Sequence, residues 1–597
     1  MTLPIAVGKE SAPFTNRRLV LNIEALSKLI GSDRFWRRMT ICFMLVAIPI
    51  LFLGINYPLI DRTETRVAEI SREILITGDW TTLHLNFQPY YDKPPLLYWL
   101  CAICFNTFGA TELSARLVPA LASWCTLVST VWFASRWFGT MVGLLSGVVL
   151  FLSVGFVALS RFLAADALLA LFTCLTAFSG YEAIRLLSYK DCLDASRKLL
   201  GNFWLVVCGV VCGLGFLSKG PVIGILCGIP FLFARLYLHR SERFHWLSIG
   251  WAVLSFACVA FPWIGWVAVH NPQYLSEFFF KHNINRFGGE FHQKPFWFFI
   301  PVLLAGGHPW SFMTIPMLTQ FFTSNKPDDL RSRPLLYLIV TGLWCVLFFS
   351  LSRCKLPTYI LPAAAPLSIA TAVFLKVVLC DSSPLKLKRF AQSVAPQMAT
   401  WITMLGITTY MIISPLGWGT SQEMVLGFAV PVVSLIVVGV VIRFVRNGPY
   451  KSWILCGITT LGLSIWLSHS VIPSYATQTT CMELCDEGSE WNQPLRENQI
   501  ITMIEQFPDV PFYLHRNDVI NSEHFEKDWI ESRRKEGMPL VLFIPKSAES
   551  EFLTFGIANS KKMYSNNRFA VYSLSRNSSQ QSSVGGGTVV LSKDFRN

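Results

Sequence analysis

The sequence predicts a polytopic α-helical membrane protein of about 13 transmembrane helices, followed by a small C-terminal extracytoplasmic α/β domain. Three observations lead there. Hydrophobic residues make up 52% of the 597 and charged residues 15%, a balance that an ordinary soluble domain does not reach. Apolar windows of about 17 to 25 residues, the length that crosses a bilayer as a helix, recur along the chain. Beyond residue 472 those windows stop and shorter runs alternate with polar turns.

The chain opens on a basic segment, residues 1–39, which carries Arg17, Arg18, Lys28, Arg34, Arg37 and Arg38. The first apolar run, 40–57, is followed by acidic sequence without a small-residue cleavage site, so it is expected to stay as an anchor. Further spans are expected at 113–135, 139–159, 164–184, 201–218, 221–238 and 247–269, then at 297–321, 334–351, 357–379, 397–416, 424–442 and 452–470. With a cytoplasmic N-terminus, an odd number of spans puts the loops holding Arg185, Lys190, Arg197 and Lys198, then Arg235, Arg240 and Arg243, then Lys326, Arg331 and Arg333, on the cytoplasmic side. All are basic, as the positive-inside rule requires. The net charge of +13 is thus spread as topology signals, and nucleic acid is not expected as a partner.

The same alternation places the first loop (58–112), the Arg161 to Asp166 turn, Lys219, residues 270–296 and the SRCKLPTY turn on the extracytoplasmic face. A transporter spreads its ionisable groups along a path reaching both sides. Polar residues crowded at one face favour an enzyme working at the outer membrane surface, and a lipid-linked sugar transporter or flippase is the rival from another class.

After the transmembrane region (40–471), VPFYLH, PLVLFIP and FAVYSL read as strands and ENQIITMIEQF as a helix, giving an α/β domain over 472–574. Residues 575–597, rich in Ser, Gly and Asn, read as a disordered tail. Most of the sixteen cysteines lie inside apolar segments, where core packing explains them. Cys481 and Cys485 sit together outside the membrane, where a disulfide can form if the compartment oxidises.

The first loop concentrates charge: Asp61, Glu64, Arg66, Glu69, Arg72, Glu73, Asp79, Asp92 and Lys93. Within it TETRVAEISREIL reads as an amphipathic helix with Thr63 near its N-cap and its end before Gly78. PPLLYWLCAICFNTF, too short to span, reads as an interfacial or re-entrant helix.

ETRVAEISREILITGDW followed by YYDKPPLLYW closely resembles the signature of polyprenyl-phosphate-dependent glycosyltransferases of GT-C type, in particular the 4-amino-4-deoxy-L-arabinose lipid A transferases and, more distantly, protein O-mannosyltransferases. SRFLAADALLALF, LSKGPVIGIL, FFFKHNINRF with KPFWFFIPVLLAGGHPW, and SRCKLPTYILPAAAPL continue the resemblance in order over about the first 380 residues. It implies a GT-C fold and transfer of a sugar from a polyprenyl phosphate, of undecaprenyl type, to an extracytoplasmic acceptor. Lipid A or another envelope glycolipid is the first expectation for that acceptor and a protein hydroxyl the second. It also implies the inner membrane, with the N-terminus cytoplasmic and the active site and C-terminus periplasmic.

A sugar leaving polyprenyl phosphate puts charge on phosphate oxygens, which cations stabilise, while a carboxylate can take the acceptor's proton. The candidate donor-phosphate ligands are Lys93, Lys219, Arg286, Lys355 and Tyr359. The candidate catalytic carboxylates are Asp61 and Glu64, because an ungapped alignment with the aminoarabinose transferases puts Thr63 where they hold Asp. The alternative for this pair is that Asp61 caps the first-loop helix and Glu64 complements its dipole. Asp166, an acid opening an apolar helix, is a candidate metal or phosphate-linked residue with Asp61, so a divalent cation is the expected cofactor. Asp92, Arg66 and Asn283 complete the expected site. For His282, Tyr90, Tyr91 and Trp310, ordinary interface packing is the expectation in a chain this aromatic.

Overall fold

The computed structural model describes residues 32–191, 194–279, 293–314, 316–318 and 328–380 and, with short gaps, 394–403 and 449–574. The chain divides into two compact units. One comprises Met1–Ile55, Tyr91–Leu97 and Arg116–Ser470, the other Asn56–Tyr90, Tyr98–Ala115 and Val471–Asn597.

Eight helices among the described residues are long and apolar enough to cross a membrane: Asp33–Phe52, Glu112–Phe138, Ala165–Leu187, Ala195–Lys219, Trp246–His270, Arg333–Leu351, Pro357–Val378 and Leu455–Thr477. A ninth arises if Phe296–Gly306 and Trp310–Leu318, bent by 108° at the break between them, count as one span. Two other expected spans are short helices. Residues 139–159 break into Thr140–Phe151 and Val154–Ser160, because Ser153 is extended (φ −70°, ψ 114°). Val222–Leu238 turns to π-helix from Ala234. The expected span 424–442, and most of 397–416, lie outside the described residues.

In the first unit, Ala165–Leu187 is the axis: 94% of its apolar window is buried, against 11% for Asp33–Phe52 at the periphery. A helix apolar on every side packs on neighbours all around, whereas one wall of the peripheral helix faces lipid. Close helix approach relies on small residues. A Cβ at Gly209 would lie 2.2 Å from the carbonyl oxygen of Ala252, so that crossing accepts only glycine. At the basic end of the axis, the buried Glu182 carboxylate accepts from Arg136, Arg185 and Trp137 at 2.7 to 3.0 Å. A charge within the bilayer needs such partners.

The second unit joins the first loop to the C-terminal domain. Its sheet runs, edge to edge, Ile520–Ser522, Gln499–Met503, Leu540–Pro545, Phe569–Leu574 and Ser560–Ser565. The first three strands are mutually parallel and the last two antiparallel to their neighbours. PLVLFIP and FAVYSL are the strands the sequence predicts, and apart from the half-buried Ser573 they are mostly apolar and buried because both faces are covered. Val541, Phe543 and Val571 enter one core cluster while Leu540, Leu542 and Ile544 enter the other.

Two expectations for this domain are corrected. ENQIITM is not helical: the helix Asn492–Glu497 ends first, and Gln499–Met503 is a strand held between two others. VPFYLH is not a strand: Asp509–Leu514 is a helix, with Pro508 as N-cap, Asp509 in the first turn and His515 in the left-handed conformation at its end. Proline fits a first turn, where its missing N–H costs nothing.

The first loop contacts this domain within the same unit. The N–H of Leu59 donates to the Tyr513 hydroxyl at 2.9 Å, and Arg72 donates to Asn517 Oδ1 and the Arg516 carbonyl at 3.0 Å each. The rings of Phe105 and Phe512 lie 6.1 Å apart.

Candidate active site

In the transmembrane unit, three residues from three separate motifs converge. Asp166 is in the first turn of Ala165–Leu187, and Lys219 is the last residue of Ala195–Lys219. Lys219 Nζ donates to Asp166 Oδ1, and the two side chains are 13% and 11% exposed. The same ammonium sits 4.2 Å from the ring centroid of Tyr359. A lysine between a carboxylate and an aromatic face is neutralised on one side and oriented on the other.

The turn after Lys219 explains its position. Gly220 has φ 89° and ψ −156°, a backbone state essentially restricted to glycine. Its absent side chain also matters, because a Cβ would meet the Phe278 ring at 2.6 Å. The KG pair is thus the sequence of a helix stop that leaves a lysine at the helix end.

Tyr359 lies in the short 3-10 turn Pro357–Ile360, which opens the helix Leu361–Cys380. Just before it, Lys355 is 2% exposed, and its Nζ donates to the carbonyl of Ser352 and, at 3.1 Å, to that of Lys294. The segment at Gln293 and Lys294 is bridged to Arg353 and Cys354 by main-chain contacts. Burial moves the Lys355 ammonium below the ordinary lysine range. Carbonyl oxygens are dipoles rather than counter-ions, so these two contacts hold its positive charge in place without cancelling it.

Lys93 is half-buried. Its carbonyl accepts from the Tyr274 hydroxyl, and Tyr274 is fully buried between Tyr91 at 5.1 Å and Trp263 at 5.5 Å, centroid to centroid. The backbone of the DKPP segment is therefore fastened by a tyrosine whose value the sequence does not reveal. Tyr91 belongs to this aromatic packing, as expected of it, and Trp310 stacks on Trp453 at 5.1 Å. Asp92 is half-buried beside Lys93. Arg286, Asn283 and His282 lie outside the described residues.

In the other unit, the first-loop helix is Asp61–Thr77, with Ile60 rather than the expected Thr63 at its N-cap and Gly78 in the left-handed conformation at its C-cap. Ile60 has no capping side chain of its own. Glu64 supplies one: its carboxylate is buried and accepts the Ile60 N–H at 2.6 Å. A negative group at a helix start is favourable, and here it satisfies an orphan donor as well. The backbone of Asp61 is the first helical residue and its side chain lies outside what is described. Arg66 is half-buried on the same helix.

One turn further on lies a charge cluster to which the sequence assigned no role. Arg72 grips both oxygens of Glu69, at 2.7 and 2.8 Å. Glu73 accepts the N–H groups of Asn86 and Phe87 at 2.7 and 3.0 Å. Those two residues have φ 54° and 58° and form the turn of the hairpin His84–Leu85 and Gln88–Pro89. A two-residue turn of this kind needs positive φ at both positions, which Asn tolerates and Phe does not favour. The Glu73 carboxylate collects both donors that the turn exposes. Burial, then the neighbouring Glu69, pushes its pKa up to about 8.

The expected metal site includes Asp61, whose side chain lies outside the described residues. No group of three His, Cys, Asp or Glu side chains among them is placed to hold an ion, and the carboxylate of Asp166 is engaged by Lys219.

Comparison with known proteins bears on this arrangement. A family model described as dolichyl-phosphate-mannose-protein mannosyltransferase matches residues 92–266. The chain is 31% identical over 341 residues to an undecaprenyl phosphate-alpha-4-amino-4-deoxy-L-arabinose arabinosyl transferase of Pseudomonas aeruginosa (strain LESB58), covering 56% of this chain and 59% of that one. It is 31% identical over 338 residues to the protein of the same name from Aeromonas salmonicida (strain A449), covering 55% and 59%. The matches thus span 59% of the length of these curated relatives. Among solved structures, ArnT from Cupriavidus metallidurans bound to undecaprenyl phosphate superposes with a TM-score of 0.68 at 20% identity, over 90% of this chain and 98% of that one. The apo form of the same protein gives the same score. The fold is therefore the membrane fold of ArnT, a polytopic helical unit with a C-terminal sheet domain, as the sequence predicts.

Proposed function

We propose that this chain is a multi-pass inner-membrane glycosyltransferase that moves a sugar from a polyprenyl phosphate carrier, of undecaprenyl type, to an extracytoplasmic acceptor. Lipid A or another envelope glycolipid is the first acceptor class, as the sequence resemblance to the aminoarabinose lipid A transferases implies; the names of the curated relatives give the donor, an undecaprenyl phosphate-linked 4-amino-4-deoxy-L-arabinose. A protein hydroxyl is the second, favoured by the description of the family model over residues 92–266. The observation that carries the reading is the convergence of Asp166, Lys219 and Tyr359. These residues lie in three different motifs of the sequence resemblance and meet around one ammonium.

Each residue then has a task set by its chemistry. Lys219 and Lys355 receive the donor phosphate: the first is oriented by Asp166 and Tyr359, the second is held on carbonyls, which do not cancel its charge. As the glycosidic bond to phosphate breaks, negative charge grows on phosphate oxygens, and cations fixed beforehand stabilise it without reorganising. Lys93 and Arg286 join them as phosphate ligands, the guanidinium with its capacity for two parallel hydrogen bonds. Asp92 and Asn283 flank two of these cations in sequence and complete the polar lining. On the first-loop helix, Asp61 or Glu64 takes the proton of an acceptor hydroxyl. Glu64 already holds the Ile60 N–H, which favours Asp61 for the proton and Glu64, with Arg66, for keeping the helix start in place. A divalent cation, if bound, would supply Lewis-acid stabilisation of the phosphate with Asp166 among its ligands, and no step here depends on it.

Purified protein supplied with labelled undecaprenyl-phosphate sugar and lipid A is expected to yield labelled lipid A. Label that crosses between leaflets without joining lipid A or a protein would overturn the enzyme reading in favour of a flippase. Mass analysis of envelope lipids with and without the protein would identify sugar and acceptor together.

A further inference from the structure

Outside the residues assigned to transfer, the C-terminal domain holds a close pair of cysteines. Cys481 and Cys485 bracket one helical turn: the N–H of Cys485 donates to the Cys481 carbonyl at 3.2 Å, and the two Sγ atoms are 3.7 Å apart. Four residues of helix rise separate Cα atoms by about 6 Å, inside the range that a disulfide spans. Rotation about the two Cα–Cβ bonds is the motion needed to bring the sulfurs to bonding distance.

The surroundings disfavour the other uses of a dithiol. Both residues are buried in the core cluster with Leu484, Phe507, Val510 and Phe543. Asp509, wholly buried, accepts the Cys481 N–H at 3.1 Å, and its own counter-charge, Arg568, stands 3.5 Å away. Burial, the Cys485 thiol and this carboxylate hold the Cys481 thiol well above its usual range. A thiolate, which a nucleophile or a metal ligand requires, is therefore unfavourable. No His, Cys, Asp or Glu set among the described residues completes a metal site there. An uncharged pair is what the pocket accommodates.

We propose that Cys481 and Cys485 form a structural disulfide that closes the turn where the chain leaves the helix Leu455–Thr477 for the C-terminal domain. The bond forms by exchange with an extracytoplasmic protein disulfide, before the domain closes over the pair. One thiolate attacks the carrier's disulfide, and the second displaces the carrier from the mixed disulfide. The two cysteines lose two protons and two electrons, and the carrier departs as a dithiol. Once the core has formed, burial shields the bond from reductants. The proposal rests on the reading that puts this domain outside the cytoplasm.

The test uses the full-length protein from membranes treated with N-ethylmaleimide under denaturing, non-reducing conditions, followed by peptide mass spectrometry. Cys481 and Cys485 are expected to stay unlabelled, their peptide lighter by two hydrogens, and to take up two labels after reduction. The variant Cys481→Ser is expected to expose Cys485 to labelling without reduction. Labelling of both native cysteines before reduction overturns the proposal. A membrane-impermeant amine reagent added to spheroplasts reads Lys561 in parallel. If Lys561 reacts while both thiols are free, the disulfide alone fails; if Lys561 is protected, the outward orientation fails and the proposal with it. Transfer of label to lipid A is scored separately, so loss of the transferase reading is distinguished from either result.

Discussion

Asp166 and Lys219 show how much a residue pair can be read before a structure is known. Their motifs, AADALLALF and LSKGPV, single out each residue, but nothing in either says that they meet. In the structure they form an ion pair that is mostly withdrawn from water. Removing one partner of a buried pair costs about 3 to 5 kcal/mol, and with some solvent access to both side chains about 2 kcal/mol is expected for Lys219→Met. The double variant Asp166→Asn with Lys219→Met should recover most of that stability, since no uncompensated charge is left, while sugar transfer stays at least about a hundredfold down. Thermal unfolding in detergent and label transfer to lipid A measure the two effects apart. Glu73 is the opposite case. Its partners are backbone N–H groups on a hairpin turn, which no side-chain pattern records. An unfolded glutamate titrates near ~4.3 and the folded Glu73 near about 8. Across that window the folded loop holds a proton that the unfolded chain has released, so stability falls as pH rises through it. Glu69, raised by burial against the pull of Arg72, acts in the same direction. Glu73→Gln is expected to flatten the slope of melting temperature between pH 5 and pH 8, and Glu73→Ala to lower the melting temperature throughout by freeing both turn donors, about 1 to 3 kcal/mol for each one left unsatisfied.

Elements were legible where one local signal dominated. The first-loop helix ends at Gly78 because a left-handed C-cap needs glycine, and the short helix Leu96–Phe108 follows two prolines. The helix stop at Lys219 and Gly220 yields a prediction at this scale. Gly220→Ala imposes a disfavoured backbone state and a contact with Phe278, so it should cost about 1 to 3 kcal/mol and shift the end of the helix that carries Lys219. Melting temperature and transfer rate should fall together, whereas Gly78→Ala, where a Cβ meets nothing within 4 Å, should lower stability with less effect on transfer. The errors also have a local cause. ENQIITM matches a helical period over too few residues to exclude a strand, and its place between two parallel strands decides the matter. VPFYLH has β-forming residues, but Pro508 at the N-cap, Asp509 in the first turn and Pro511 just after it start a helix.

For the whole molecule, hydropathy and charge predict a topology that labelling can check. Single cysteines placed at Arg197 and Arg240 are expected to react with an impermeant maleimide only in inverted vesicles, and one at Asp79 only in spheroplasts; reversal of either would overturn the one-faced arrangement of the polar motifs. The sequence by itself determined the membrane class and the order of the motifs. Those properties are carried by composition and near-neighbour spacing along one dimension. Only the tertiary structure decided that Asp166 answers to Lys219, that Lys355 rests on two carbonyls, that Tyr274 fastens the backbone at Lys93 and that the first loop packs with the C-terminal domain. Apart from the Lys355 bond to Ser352, three residues away, these contacts join residues far apart in the chain, and which partners meet depends on how the helices and loops pack in three dimensions.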